Sequence, residues 1–459
     1  MDKKLKALFF IFVFVQGIFY VFLIPPWQSP DECRHFDYSS SINKNEKSIQ
    51  KIEERIIQSM DNFHAWKYQS IKVPKPLPEK IKNVPFYGFR LRKIISNQGI
   101  IYHSIGSLFL NAFNSKKTIN QFYISRIFSF ILYLLTIYFI YLSSRILFKK
   151  KYLYCLATVA FCAFLPQFLI ISTSVNIVNL AVLLETILIY LIIHSLYKNK
   201  KWLISILGPL IIALGFFNDR IALFMIPPFL ILLFIYLFQS IRKKKFAKIL
   251  IFSLIVIFIS VSLYLLAQHF FPKSTETILQ QSNIKQRLKD INRFIQFFPV
   301  PSTKSIQSFF DGFFMSFWYV GGWMRFPYII NIYPVLKFVC LLAGLGLLVY
   351  LYNYFVKKDH KTTIDFNTFL VLMTAVLSLL VGAIILKFPT PVPGHLAQGR
   401  YIFPAISALG ILFVLGLKEI VPKKFENWVP LFIIFGFIVL NIYTIFNSLI
   451  RVFYYFTNA

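Results

Sequence analysis

Long apolar runs alternate with short polar segments along most of the chain. Each run has about 20 residues, enough for a helix to cross the hydrocarbon core of a bilayer. The runs are continuously apolar, which favours spanning helices over a transmembrane barrel with its residue-by-residue alternation. The predicted spans are 5–24, 122–147, 152–172, 176–196, 202–217, 221–240, 249–270, 333–354, 366–386, 401–417 and 428–449. We therefore predict one all-α, polytopic membrane domain over residues 1–459, with about eleven transmembrane helices.

Two long polar segments interrupt this pattern, at 25–121 and at 271–332. The first should carry short helices, and its apolar part, Gly99–Phe113, is too short to span and predicts an interfacial or re-entrant helix. Runs of basic residues follow alternate spans, as at 149–151 and 242–245. By the positive-inside rule the N-terminus lies inside, while both long segments and the C-terminus lie outside. The predicted location is the cytoplasmic membrane, with many passes.

Composition supports this class of protein. The chain has 459 residues, of which 57% are hydrophobic and 19% aromatic. Its net charge of +31 would suggest nucleic acid binding in a soluble protein, but the predicted inner loops account for much of it, so we predict no nucleic acid partner. The four cysteines show neither metal-ligand spacing nor a disulfide framework.

The polar turn after the first span, 25–36, is the leading candidate site. Ser29 is predicted as a helix N-cap, with Pro30 as the first helical residue and Glu32 completing a capping box. The box does not require Asp31. We predict Asp31 and Glu32 as candidate catalytic carboxylates, with helix capping as the alternative role for each.

The helix that begins at this turn carries further polar side chains. Arg34, His35 and Tyr38 are spaced to share one helix face with Asp31. Arg34 and His35 are predicted to help bind an anionic substrate group. The adjacent acids Asp31 and Glu32 could ligate a divalent cation, but no third acidic ligand accompanies them, so no metal site is assigned and the cofactor is left open.

Four more arginines lie at predicted outer ends of the membrane spans, against the positive-inside trend. They are Arg126, Arg220, Arg325 and Arg400. An arginine at the membrane edge is costly unless it is paired or lines a polar cavity, and its guanidinium suits a phosphate. We predict that these arginines bind a lipid phosphate, with snorkelling to the interface as the alternative. The predicted loop before the tenth span adds His395, Gln398 and Tyr401 to the same group.

Aromatic residues crowd the segment 309–323 on the predicted outer side. Trp318 and Trp323 are predicted to form a wall against which a sugar or an acceptor packs. The alternative is an ordinary aromatic belt at the membrane interface.

Several of these motifs resemble, in order, those of a family of bacterial envelope membrane proteins. The motifs are Pro30-Asp31-Glu32 with His35-Phe36, Leu165-Pro166-Gln167 with Ser174-Val175-Asn176, Ser316-Phe317-Trp318 with Gly322-Trp323, and Gln398-Gly399-Arg400-Tyr401. That family looks like a branch of the GT-C superfamily of integral-membrane glycosyltransferases. The resemblance spans most of the chain and implies a GT-C-like helical bundle.

The resemblance also implies an activity. GT-C enzymes transfer a sugar from a polyprenyl-phosphate carrier, and an acidic residue of the first outer loop acts as base or positions the acceptor. Here that role would fall on Asp31, with Glu32 as the alternative, and the acceptor would be a cell-envelope glycan or lipid. One position departs from the family, which often has an aspartate where this chain reads Asn176-Ile177-Val178-Asn179.

Two other functions stay open from the sequence. A transporter or flippase of lipid-linked sugars would need polar residues deep within several spans, but Glu185 and His194 are nearly alone there. A non-catalytic scaffold of an envelope-polysaccharide synthesis complex is compatible with the departure at Asn176 and Asn179.

Overall fold

The structure, a computed structural model, describes residues 3–42, 44–65, 76–80, 99–149, 151–198, 201–242, 303–324, 326–358, 364–387 and 398–455. Within these ranges the regular structure is helical, apart from an isolated bridge between Gly321 and Phe326. The predicted span 249–270 and just over half of the segment 271–332 lie outside the described residues.

The described residues form sixteen α-helices, α1 to α16 in chain order. The first eight are α1 Lys3–Leu23, α2 Glu32–Ser41, α3 Glu46–Asn62, α4 Ile100–Phe113, α5 Thr118–Phe148, α6 Tyr152–Ala163, α7 Pro166–Ser172 and α8 Val178–Lys198. The others are α9 Lys201–Asn218, α10 Ile226–Arg242, α11 Thr303–Trp318, α12 Gly321–Met324, α13 Tyr333–Phe355, α14 Phe366–Lys387, α15 Ile406–Ile420 and α16 Val429–Thr444. Short 3₁₀ turns at Arg220–Met225, Gly399–Ala405 and Lys423–Trp428 lead into α10, α15 and α16, and a π-helical segment, Ile445–Tyr455, extends α16.

Nine helical stretches of the described chain are long and apolar enough to cross a membrane. A tenth span results if α6 and α7 are counted as one bent helix. The prediction of an all-α polytopic membrane protein is therefore confirmed.

The bend between α6 and α7 is 66° and follows from the sequence Leu165-Pro166. Proline disfavours helical backbone in the residue before it and tolerates the first helical position, so one helix ends and the next begins. Leu165 is accordingly extended, and Pro166 opens α7. The bend helps to bring the next turn, residues 173–177, into the interior of the bundle, where all five residues are buried.

The helices pack through small residues. In α13 and α15, Gly346 and Gly416 lie so close that a Cβ on Gly346 would overlap the carbonyl of Gly416. Close backbone approach at small residues is the usual means of helix association in a bilayer, where lipid is as apolar as the helices.

Helices α2, α3 and α4 pack together, with α2 in contact with both of the others, and α3 and α4 also contact α5. The apolar stripe of α3 buries Ile56, Ile57 and Met60. The start of α4 is fixed to the end of α9, because Asn218 accepts hydrogen bonds from the backbone N–H of Gly99 (2.6 Å) and of Tyr102 (3.3 Å). These contacts position the two short helices that complete the candidate site.

Candidate active site

Glu32 and Arg126 form a fully buried ion pair beneath the turn 25–31. The guanidinium Nε and Nη2 of Arg126 donate to the two carboxylate oxygens of Glu32 at 2.7 and 2.8 Å. The side chains are 1% and 0% exposed. Charges removed from water this completely are stable only when their remaining hydrogen-bonding groups are also satisfied.

Backbone groups satisfy both partners of this pair. Arg126 also donates to the carbonyls of Val21 (2.8 Å), Ile24 (2.6 Å) and Pro25 (3.2 Å). Glu32 accepts from the backbone N–H of Val175 (3.2 Å) and of Ser29 (3.3 Å). The pair therefore joins the end of α1, the start of α2, the helix α5 and the turn before α8.

The capping prediction for this turn is only partly correct. The bond from the Ser29 N–H to the Glu32 carboxylate is the reciprocal half of a capping box, but α2 begins at Glu32 and not at Pro30. Asp31 occupies the N-cap position in a left-handed conformation, with φ 65°, and its side chain makes no capping bond. The carboxylate of Asp31 is thus directed away from the helix terminus.

Asp31 instead binds two arginines. Its carboxylate accepts from Nη2 of Arg400 at 2.9 Å and lies 3.5 Å from Nη1 of Arg34. Burial alone would raise the pKa of Asp31, but the charges of Arg400 and then Arg34 outweigh it and lower the pKa to about 2. The carboxylate is ionised at neutral pH, and 25% of its side chain is still exposed.

Arg400 reaches Asp31 from the turn that precedes α15. Gly399 packs against the backbone of Phe317 so closely that a Cβ would overlap it, and its N–H donates to Ser316 Oγ at 2.8 Å. The side chain of Arg400 is 10% exposed. In the described chain its buried Nε and Nη1 have no acceptor within hydrogen-bond distance, although the neighbouring phenol of Tyr401 interacts with the guanidinium. Buried guanidinium N–H groups in this state are suited to receive an anion.

Two histidines, His35 of α2 and His103 of α4, form a pair beside Asp31. The imidazole planes of His35 and His103 are within 26° of parallel, and Nδ1 of His35 lies 3.4 Å from Nε2 of His103. Nδ1 of His103 lies 2.8 Å from Ser39 Oγ, and the ring of Tyr38 meets His103 edge-on. His103 was not predicted as a site residue, because a single histidine in an apolar helix does not reveal its partner.

The turn at Asn176 completes the surroundings of Asp31. The side-chain amide of Asn176 donates to the carbonyl of Pro30 at 3.4 Å, and its oxygen accepts from the Val178 N–H at 3.0 Å, which caps α8. An amide can serve both bonds, whereas a carboxylate could not donate to Pro30. The amide at position 176 therefore has a structural use in this turn.

Other predicted site residues are located as follows. Tyr401 lies next to Arg400, whose Cζ is 5.8 Å from its ring centroid, and Gln398 is half-buried before them. Arg325 and His395 lie outside the described residues, and the side chains of Arg220 and Trp323 are likewise not described.

Trp318 does not share the surroundings of Asp31. Its ring stacks on Phe437 at 6.0 Å and lines an apolar groove of about 550 Å³ between α13, α15 and α16. The concave feature beside the site is a narrow crevice, lined by Ser29, Pro30, Gln167 and Val320 among others. Gln167 accepts from the Val320 N–H at 3.0 Å, so the motif residues of α7 and α11–α12 meet at this crevice.

In the described part of the chain no three or more His, Cys, Asp or Glu side chains are grouped so that they could hold a metal ion. The charged centre of the site is instead the set Asp31, Arg34 and Arg400, beside the histidine pair. Such a set can hold an anion and, next to it, a hydroxyl group.

Comparison with known proteins shows which class of fold this chain resembles. Residues 105–274 match the sequence model of the dolichyl-phosphate-mannose-protein mannosyltransferase family. The matched region is less than half of the chain. The apo crystal structure of an oligosaccharyltransferase from Archaeoglobus fulgidus has a similar fold, with a TM-score of 0.51 and 11% sequence identity. No curated protein sequence matches the chain.

Both matching proteins are GT-C superfamily members, so the resemblance to that superfamily and the GT-C-like fold are confirmed. The structural match covers 98% of this chain but only 56% of the oligosaccharyltransferase, so the chain spans about half the length of that enzyme. The matches show the fold of this chain and do not by themselves show its activity. The donor, the acceptor and the membrane are matters for proposal.

Proposed function

We propose that this protein transfers a sugar from a polyprenyl-phosphate carrier to a glycan or lipid of the cell envelope, on the outer face of the cytoplasmic membrane. One observation carries the proposal: the ionised carboxylate of Asp31 is paired with Arg400, whose two other guanidinium nitrogens, Nε and Nη1, are buried without a close acceptor in the described chain. Sugar transfer from a lipid phosphate needs both components, a carboxylate for the acceptor and a cation for the leaving phosphate.

In this proposal the donor phosphate binds to Arg400 and is assisted by Arg34. The phosphate then competes with Asp31 for the same guanidinium, which releases the carboxylate and raises its pKa from the low value imposed by the two arginines. Asp31 becomes a better base only when the donor is present, which limits reaction in its absence.

Asp31 binds the acceptor hydroxyl and orients its oxygen toward the anomeric carbon of the sugar. A bond forms between that oxygen and the anomeric carbon, and the bond from the anomeric carbon to the phosphate oxygen breaks. The phosphate leaves with the electron pair and is stabilised by Arg400. The proton of the acceptor hydroxyl passes to the Asp31 carboxylate.

Glu32 and Arg126 have a different role in this proposal from the one expected from the sequence. Their charged groups are bonded to each other and to five backbone groups, so we assign them to holding the turn that presents Asp31. Asp31 is then the catalytic carboxylate, and Arg400 and Arg34 bind the phosphate.

Binding of undecaprenyl phosphate to the protein in nanodiscs tests the phosphate site. We expect Arg400→Gln to weaken binding at least ~10-fold, corresponding to about 1.4 kcal/mol, and Asp31→Asn to tighten it because a competitor for Arg400 is removed. The matched control is Arg145→Gln, an exposed arginine in the last turn of α5. Unchanged affinity in Arg400→Gln would contradict the assignment of Arg400.

A further inference from the structure

The histidine pair beside Asp31 forms a directional set of hydrogen bonds. Nδ1 of His35 faces Nε2 of His103, and Nδ1 of His103 faces Ser39 Oγ. In each of these two contacts one atom must donate a hydrogen and the other must accept it. Because a neutral His103 donates through one nitrogen and accepts through the other, the hydrogen bonds through Ser39, His103 and His35 can run in only two directions. In one direction Ser39 accepts from His103 and His103 accepts from His35, which leaves Nε2 of His35 without a proton.

Only this direction lets His35 gain a proton without rearrangement. When Nε2 of His35 is protonated, Nδ1 must still be a donor, and His103 must still accept from it. In the reverse direction His103 would donate its Nε2–H to Nδ1 of His35. A doubly protonated His35 would then have an N–H at Nδ1 as well, and the two N–H groups would point at each other.

The surroundings also keep His103 neutral. Its side chain is 0% exposed, and burial together with the neighbouring His35 holds the pKa of His103 well below its ordinary value. His103 can therefore accept a hydrogen bond without competing for the proton. Its close fit depends on Gly99, where a Cβ would meet the imidazole ring and Ile177.

We propose that His103 is a positioning residue that holds His35 with Nδ1 protonated, so that Nε2 of His35 is the nitrogen that takes up the proton released during sugar transfer. This inference rests on the proposed function. The acceptor hydroxyl gives its proton to Asp31, and Asp31 passes it to Nε2 of His35. The carboxylate is thereby restored, and the new imidazolium lies one helical turn from it.

Substrate binding should raise the pKa of His35 and so make it a better proton acceptor. The charged and titratable groups around His35 are Asp31, Arg34 and Tyr38 from its own helix region, His103 from α4 and Arg400 from the turn before α15. Burial, Arg400 and Arg34 together lower the pKa of His35 to about 4, against the opposing effect of Asp31. An anion bound to the two arginines would cancel part of their effect and raise the pKa of His35 toward neutrality.

Nitrogen-15 NMR of histidine side chains tests this in the full-length protein in nanodiscs, without any need for catalytic activity. In the wild type we expect His35, assigned by comparison with His35→Gln, to be neutral at pH 7 with the proton on Nδ1. Undecaprenyl phosphate should raise its pKa above about 4. His103→Leu should mix the two tautomers, whereas His103→Gln, which can still accept and donate, should keep the Nδ1-protonated form.

The control is His64→Gln, because His64 is exposed in the same polar segment, and every variant is first checked for wild-type thermal stability. The inference is overturned if wild-type His35 carries its proton on Nε2, or if a stable His103→Leu variant keeps the wild-type tautomer. If the tautomer behaves as expected but undecaprenyl phosphate leaves the His35 pKa unchanged, the proposed function fails while the role of His103 stands.

A transfer assay, once a substrate pair is known, separates positioning from binding. His103→Leu should lower kcat by about 10²-fold, the size of a general acid–base contribution, with little change in KM. A loss expressed only in KM would instead assign His103 to substrate binding and contradict the inference.

Discussion

Asp31 and Glu32 are adjacent in sequence, yet the structure gives them opposite surroundings. Glu32 is completely buried, while a quarter of the Asp31 side chain faces solvent. The left-handed backbone of Asp31 is responsible, because it turns one carboxylate toward Arg400 and leaves the next one beneath the turn against Arg126. At the residue scale, this difference separates the acid that holds the turn from the acid that we propose to be catalytic.

Replacing Glu32 tests the structural half of this account. We expect Glu32→Gln to lower the free energy of unfolding by about 3–5 kcal/mol, because it leaves the Arg126 charge buried without its counter-charge. Thermal unfolding in detergent, followed by circular dichroism, measures the effect.

The matched control is Asp311→Asn, which breaks an exposed pair with Lys337 whose side chains are 41% and 53% exposed. That change should cost no more than about 1 kcal/mol. Equal melting temperatures for Glu32→Gln and Asp311→Asn would show that the buried pair does not stabilise the turn.

Sequence reasoning could select most of these residues but not their partners. Asp31, Glu32, Arg126 and Arg400 were all marked by charge at a predicted membrane edge. Their partners are distant in sequence: Arg126 is 94 residues from Glu32, and Arg400 is 369 residues from Asp31. No local pattern encodes contacts over such separations. His103 was missed for the same reason.

At the scale of elements, short turns carry the site and long helices hold them. The turns at 25–31, 173–177 and 398–400 converge from distant parts of the chain, and each contributes a bond to the Asp31–Glu32 region. Glycine allows one of these approaches, since Gly399 contacts the backbone of Phe317. The rigidity of these turns should therefore control the position of Arg400.

A methyl group at Gly399 tests that control. Gly399→Ala should displace the turn and weaken undecaprenyl phosphate binding by ~10-fold or more, because its Cβ would overlap the Phe317 backbone. Gly344→Ala is the control, since a Cβ there meets open space in α13. Similar affinities in both variants would mean that the Gly399 contact is not needed to position Arg400.

Helix starts were harder to predict than helix existence. The sequence placed the start of α2 at Pro30, but α2 begins at Glu32, because Asp31 takes a left-handed conformation that propensity rules reserve mainly for glycine, asparagine and aspartate. In contrast, the break at Leu165-Pro166 follows directly from proline chemistry, although the predicted span 152–172 did not include a bend.

For the whole molecule, hydrophobic patterning was sufficient to predict the class of fold. Apolar runs long enough to span a bilayer leave helices as the main solution, since every backbone group must be satisfied within the segment. The packing order of those helices could not be predicted from the pattern. A helix surrounded by lipid and by other helices is apolar on all sides, so no face is marked as the one that contacts a particular neighbour.

The orientation in the membrane is still a prediction from charge. We expect a single cysteine placed at Lys51, on the exposed face of α3, to react with a membrane-impermeant maleimide in intact cells. One at Lys357, exposed beyond the end of α13, should react only after the cells are opened. The test uses a background in which the four native cysteines are replaced. The reverse pattern of labelling would place the candidate site on the cytoplasmic side.

The central claim is that Asp31 is the catalytic carboxylate of a glycosyltransferase. The most direct measurement compares the envelope glycan composition of a deletion strain complemented with wild-type protein or with Asp31→Asn, at equal expression levels. We predict that the wild type restores a missing sugar and that Asp31→Asn does not, since the acceptor hydroxyl then has no base. Equal restoration by both proteins would contradict the claim, limit Asp31 to shaping the turn, and favour the transporter and scaffold hypotheses.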